Sequence, residues 1–411
     1  MLSLLISFCL LITVSLFGRV ELGVDRLFQS DMIHLVEGKR VGLITNQTGV
    51  NSRLELTLDG FERMQEAGKL TLVAVFAPEH GLYGEEYAGK AIVAGKTARG
   101  TPIVSLHGEV RRPKQEMLKS LDVLVYDIQD IGCRSYTFAT TLFYVMEEAA
   151  KAGVEVVVLD RPNPMGGTFF DGPMLDGPSR SFVGYINVPY CHGMTIGELA
   201  RYFNGVYKVG CHLTVVPMRG WKRWMRFDQT GLAWIPTSPN IPESVTPLFY
   251  PATGILGELQ CACIGIGFTM PFKMVVAPWI NGSQLAKQLN TGVVEGVRFQ
   301  EARIKPFYGQ FREKPCEGVI LLVTDWNAYN PIKVEYWLLD ALKRLYPQEI
   351  KDSLAGLGSR LPFFQSIVGT KDFYQILLND PHPYAALVAL HAEERQRFAK
   401  QRELYLISSY S

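Results

Sequence analysis

From Lys39 onward, short runs of β-branched and other apolar residues alternate with stretches that read as amphipathic. "RVGLIT", "LTLVAVFA", "TPIVSL", "DVLVYDI" and "VEVVVLD" are near-continuous apolar runs bounded by polar or glycine-rich turns. That is the pattern of strands buried on both faces. Between several of them lie helix-like segments, such as 55–68 and 137–152. Strand alternating with helix predicts an α/β protein whose mostly parallel sheet is covered on both sides. Beyond about residue 255 the alternation loosens. "KPCEGVILLVTD" reads as a strand, "VEYWLLDALKRLYP" as a helix and "PYAALVALHAEERQRFAKQREL" as one long charged amphipathic helix. The expected organisation is a signal-like apolar segment over 1–20, a Rossmann-like domain over 21–255 and a smaller α+β domain over 256–411.

Open α/β sheets bind ligands in the crevice beyond the carboxyl ends of their strands. Residues placed just past those ends therefore carry most of the chemical information. Glu79 and His80 follow "LTLVAVFA" directly, with Pro78 before them and Gly81 after. Asp127, Gln129, Asp130 and Arg134 follow "DVLVY", and Asp160, Arg161 and Asn163 follow "VEVVVL", with Pro162 and Pro164 stiffening the exit loop. Three strand ends thus carry acids, bases and amides that converge into a pocket for a polar ligand. Further on, Thr195 and Glu198 form a capping pattern for the helix in "MTIGELARYFN". Trp221, Trp224 and Trp234 lie in a loop that suits either packing over the sheet edge or stacking on sugar rings.

Composition trims the alternatives. Lys and Arg total 41 against 40 Asp and Glu, so no net field draws the chain to nucleic acid or to anionic lipid. The first strand is followed by "NQTGVNSR" rather than GxGxxG, and "IGIGF" lacks the third glycine; no dinucleotide cofactor is expected. The seven histidines form no HExxH motif, and the seven cysteines form no CxxC or zinc spacing. One disulfide is compatible with an oxidising compartment, with its partners open. "MLSLLISFCLLITVSLFG" carries no charge and is export-signal-like, or long enough for an uncleaved membrane anchor.

"APEHGLYG", "YDIQDIGCRSYTF", "VLDRPNPMGG", "HGMTIGELARYFN", "PMRGWKRWMRFDQTGLAWIPTSPNIP" and "PFKMVVAPW" resemble, in this order, the signature blocks of one bacterial family. Once filed as a domain of unknown function, it is now associated with exo-acting β-N-acetylmuramidases. The resemblance runs from about residue 22 to the carboxyl terminus. It implies a secreted or cell-envelope hydrolase, periplasmic or anchored through its first segment, that removes N-acetylmuramic acid from non-reducing ends of peptidoglycan glycans. It also implies a nucleotide-free Rossmann-like domain joined to a smaller one, with the active site between them. The family's Glu in "PEHG" carries over to Glu79. Where the family reads EGTN-x-S-x-GRGT, this chain reads "ELQCACIGIGFT": Glu258, Gly265 and Gly267 match, while Cys261, Cys263 and Ile266 replace Asn, Ser and Arg.

Glycosidic cleavage needs a proton for the leaving oxygen and stabilisation of an oxocarbenium-like centre, usually from two carboxyl groups. Glu79 is the expected acid, with His80 orienting it. Asp127, Asp130 and Glu258 are candidates for the second group, and a 2-acetamido sugar also permits substrate assistance. Arg134, Tyr136, Arg161, Asn163, His192 and Asn240 are the expected substrate contacts. No cofactor or metal is assigned to this chemistry. Two other classes stay open: a catalytically silent glycan-binding protein, and a phosphoester hydrolase holding Mg²⁺ on Asp127 and Asp130.

Overall fold

The computed structural model describes residues 19–29, 31–87, 89–90 and 95–411. The apolar segment expected to direct export falls, apart from its last two residues, outside the described residues. No helix among them is long and apolar enough to cross a membrane.

The apolar runs form β1 (Arg40–Thr45), β2 (Thr71–Ala77), β3 (Gly95–Lys96), β4 (Pro102–Ser105), β5 (Val123–Asp127), β6 (Glu155–Leu159) and β7 (Leu213–Val216). They make one sheet in the order β3-β4-β2-β1-β5-β6-β7. Every pairing is parallel except β3 on β4, so the fold is Rossmann-like as expected. The chain moves outward from β1 through β2 to β4, then crosses back to β5 and proceeds the other way. The order therefore reverses between β1 and β5, the place where doubly wound sheets bind ligands.

Side chains alternate between two cores, as period-2 geometry requires. Val41, Leu43, Val75, Val123, Val125, Val157 and Leu159 face one core, while Ile44, Phe76, Leu124, Tyr126, Val156 and Val158 face the other. Each buried side chain contributes about 1.5–3 kcal/mol. The second core continues without a break into the carboxyl-terminal region. There β8 (Met274–Ala277), β9 (Val297–Ile304) and β10 (Cys316–Val323) form an antiparallel sheet in the order β8-β10-β9. Helix Pro331–Leu345 packs on helix Thr246–Glu258. Glu335 joins them by accepting from the Leu256 N–H at 2.6 Å, and burial pushes its carboxyl up to about 8.

The long terminal helix expected over 383–404 is instead two helices, Tyr384–Ala389 and Ala392–Arg402. His391 stands between them in the left-handed region, φ +59°. Arg395 donates to the carbonyls of Val388 and Leu390, which an unbroken helix would have used internally. The final residues then return to the first sheet. Tyr410 packs edge-on against Trp221 with centroids 5.0 Å apart, and its hydroxyl donates to Asp160 Oδ2 at 2.7 Å.

Candidate active site

Because the strands are parallel, their carboxyl ends share one edge, and Glu79, Asp127 and Asp160 all emerge there. Beyond β2 the chain turns sharply. His80 adopts φ +70° and Gly81 φ +82°; left-handed backbone at histidine costs on the order of 1 kcal/mol. His80 Nδ1–H donates to the Glu86 carbonyl at 2.7 Å, which closes the loop on itself. The Glu79 side chain, 12% exposed, is then aimed at the amino end of helix Thr137–Ala152. Thr137 Oγ1 donates to its Oε2 at 2.6 Å and the Gly89 N–H to its Oε1 at 2.8 Å.

The nearest titratable partner of Glu79 is His107, two residues past β4, with Nε2 3.7 Å from Oε1. Burial lowers the pKa of His107, Glu79 opposes that shift, and the charges of Arg111 and His80 add to it. The imidazole is therefore neutral at neutral pH, and Glu79 contacts no lysine or arginine among the described residues. His80, expected to orient Glu79, instead bonds the Glu86 carbonyl and holds the turn. His107 and Thr137 were not legible as site residues. One signal was available: His80-Gly81, His107-Gly108 and His192-Gly193 are all histidines followed by a positive-φ glycine.

On the other side of the same edge, Asp130 Oδ2 accepts from the Gly132 N–H at 2.7 Å. His192 Nδ1 accepts from the Met194 N–H, which puts the proton on Nε2, 3.6 Å from that oxygen. Asp130 Oδ1 and His192 Nε2 are buried without a hydrogen-bond partner among the described residues, as are His107 Nδ1, Asn46 Nδ2 and Gln47 Oε1. Such groups are rare in folded proteins. Five of them lie at one sheet edge, each buried with unused hydrogen-bonding capacity. Tyr136 bridges the two halves: its ring meets Phe138 edge-on at 4.9 Å, Phe138 meets His80 at 6.4 Å, and the Asp130 charge acts on its hydroxyl. That hydroxyl donates to Thr237 Oγ1 at 2.8 Å.

Other candidates are committed elsewhere. Asp127, fully buried, takes Arg161 Nε on Oδ1 at 2.6 Å and Arg161 Nη2 on Oδ2 at 2.8 Å, and Thr57 also donates to Oδ2. Neither oxygen is left for a sugar or a cation. Arg134 points away from the edge and donates to the carbonyls of Pro173 and Val368 at 3.2 and 2.7 Å; burial lowers its pKa to about 10. Asn163 bonds the Met194 carbonyl and the Met165 N–H, fixing its loop. Glu258, raised by burial, pairs with Arg360 at 3.3 Å. Asn240 is half-buried in the loop that follows Thr237. Trp221 is core, Trp234 donates to the Ile241 carbonyl, and Trp224 is half exposed.

At the β1–β5 switch point lies a narrow crevice of about 20 Å³ lined by Thr48, Asn51, Gln129, Arg161, Phe227 and Trp234. Glu79 stands outside it, on the β2–β4 side.

A mostly parallel sheet with Glu79 at its ligand edge defines an α/β protein of Rossmann-like class but not its chemistry, and comparison with known proteins places it among glycoside hydrolases. The family described as exo-β-N-acetylmuramidase NamZ matches with its N-terminal part over residues 41–245 and its C-terminal part over 248–407. The chain belongs to this family. It is 37% identical over 392 residues to the peptidoglycan β-N-acetylmuramidase NamZ of Bacillus subtilis (strain 168), covering 95% of this chain and 91% of that one. Crystal structures of two DUF1343 family proteins from Bacteroides fragilis NCTC 9343 superpose over 95% of this chain and 99% of theirs. Their TM-scores are 0.87 and 0.73, at 38% and 27% identity.

Proposed function

We propose that the protein removes N-acetylmuramic acid from non-reducing ends of peptidoglycan-derived glycans, with Glu79 as the general acid. The observation that carries this is the setting of Glu79: mostly buried, bonded by neutral donors, and facing an imidazole that burial keeps neutral. A carboxyl in such a place can take up a proton without breaking an ion pair. The Thr137 hydroxyl can reverse and accept from the protonated form.

Asp130 is the second group. Its unpartnered Oδ1 needs a donor, and the N–H of a 2-acetamido sugar is one. Holding that amide would set its carbonyl oxygen against the anomeric carbon, the arrangement of substrate assistance. The lactyl carboxylate that distinguishes muramic acid needs a cation. Arg111 fits: it is exposed, forms no ion pair among the described residues, and lies 4.3 Å over the Phe182 ring, which in turn lies 5.8 Å from the His107 ring. Arg112, by contrast, is held by Glu147 and Glu148. Residues 21–255 supply the catalytic edge and 256–411 the smaller domain. Residues 1–20 carry the chain to the cell envelope, where its substrate lies.

The test is incubation of purified protein with a disaccharide bearing N-acetylmuramic acid at its non-reducing end, read by mass spectrometry. Free N-acetylmuramic acid is expected. Binding of the disaccharide without release would instead make the protein a silent glycan binder. Activity abolished by a chelator and restored by Mg²⁺ would return the metal-dependent alternative.

A further inference from the structure

Beside the candidate site two cysteines meet. Cys133 follows the Asp130 turn and Cys191 precedes His192, and the two face each other across an isolated antiparallel bridge. On either side of the bridge, the Arg134 N–H donates to the Tyr190 carbonyl at 2.7 Å and the His192 N–H to the Gly132 carbonyl at 3.3 Å. This flanking pattern makes Cys133 and Cys191 a non-hydrogen-bonded pair. In such a pair the Cα atoms approach to about 4.5 Å and the side chains are at their closest. Disulfides need a Cα separation of roughly 4.4–6.8 Å. The register is pinned from the other side too, because Cys191 exchanges both backbone hydrogen bonds with Asp171, at 2.9 and 3.0 Å. Both thiols are fully buried.

Among the described residues, the remaining cysteines offer no equal pair. Cys263 and Cys316 share a small apolar cluster, but β8 runs between them: Cys263 bridges Val276, and Val276 pairs with Gly318 of β10. Two strand spacings, about 10 Å, separate the two backbones, which is beyond disulfide reach.

We propose that Cys133 and Cys191 form a disulfide when the chain folds in the presence of a disulfide oxidant, such as oxidised glutathione or a thiol–disulfide oxidoreductase. One cysteine thiolate attacks the oxidant's S–S bond and releases one oxidant thiol. The second cysteine then attacks the mixed disulfide and releases the other. The two cysteines give up two protons and two electrons, and the oxidant's disulfide is reduced to two thiols. Exchange takes place before the loop of residues 134–190 closes and buries both sulfurs. The finished bond ties the turn carrying Asp130 to the segment carrying His192.

The full chain, refolded from urea in a glutathione redox buffer, is unfolded again in N-ethylmaleimide without reductant and digested for peptide mass spectrometry. The expected result is a linked pair of peptides containing Cys133 and Cys191, two hydrogens lighter than their sum, with the other cysteines alkylated. Alkylated Cys133 and Cys191, or either one joined to a different cysteine, overturns the proposal. If refolding yields are poor, chain exported to the periplasm of an expression host is labelled in the same way. The oxidised protein should also melt about 5 °C above the reduced one, as expected for a bridged loop of this size. That gain should vanish in the double variant Cys133→Ala, Cys191→Ala; a gain that persists there belongs to another pair and contradicts the assignment.

Discussion

Asp127 and Glu79 leave neighbouring parts of one sheet edge, yet their surroundings are opposite. Asp127 is fully buried and gripped at both oxygens by Arg161, with Thr57 completing its shell. Glu79 keeps a fraction of its surface and, among the described residues, bonds a backbone N–H and a hydroxyl, with a neutral imidazole opposite. Both positions satisfy the rule that strand ends carry chemistry. The partner decides which of them can do it. A carboxylate neutralised by a guanidinium fixes the β1, β5 and β6 exits against each other; one left without a cation can trade its proton.

Substitution separates the two roles. Glu79→Gln should lower turnover by about 10²–10⁴, the usual contribution of a positioned acid, while leaving the melting temperature near that of the parent; unchanged turnover would remove Glu79 from its role. Asp127→Asn should do the reverse, costing about 3–5 kcal/mol of stability because it strands Arg161 without its counter-charge. Denaturant titration measures that loss, and a variant as stable as the parent would break the contrast. Arg111→Ala should lower the preference for muramic acid over N-acetylglucosamine termini roughly ten- to a hundredfold, from loss of one charge-assisted hydrogen bond. The ratio of kcat/KM on the two sugars is the readout, since a folding defect would lower both alike. If Ile266→Arg raises the same ratio, position 266 reaches the sugar as well.

The smallest effect concerns pH. His107 has a folded-state pKa below its ordinary 6.5, so from 6.5 down to that value the unfolded chain binds its proton first. Stability therefore falls on acidification through this window and is recovered above it. A protonated His107 would also place a cation 3.7 Å from Glu79 Oε1. His107→Gln should flatten the acid-side loss of stability and shift the acid limb of kcat/KM; profiles that superpose on the parent's would exclude the coupling.

The sheet was legible because strands buried on both faces leave continuous apolar runs, and the parallel order then brings Glu79, Asp127 and Asp130 to one edge. What the runs do not carry is the direction in which a long side chain leaves a loop. Arg134 follows the same turn as Asp130 but reaches Val368, more than two hundred residues away in the chain. Arg161 is consumed by Asp127 for the same kind of reason. His107 directly follows the run "TPIVSL", so its place at the edge was readable, but its approach to Glu79 across the exits of β2 and β4 was not. The split terminal helix was hidden because Arg395 supplies the carbonyl partners that make the break tolerable. The pairing of Cys133 with Cys191 depends on a backbone bridge between distant segments, which residue spacing does not encode.

The most direct measurement of the acid role varies the leaving group. Turnover of the parent and of Glu79→Gln is compared on N-acetylmuramic acid joined to a sugar and on the same residue joined to dinitrophenol. A sugar alkoxide needs its proton in the transition state, whereas dinitrophenolate leaves without one. If Glu79 is the general acid, the variant should lose about 10²–10⁴ on the disaccharide and far less on the aryl glycoside. An equally large loss on both substrates would show that Glu79 acts in some other way, and would contradict the account.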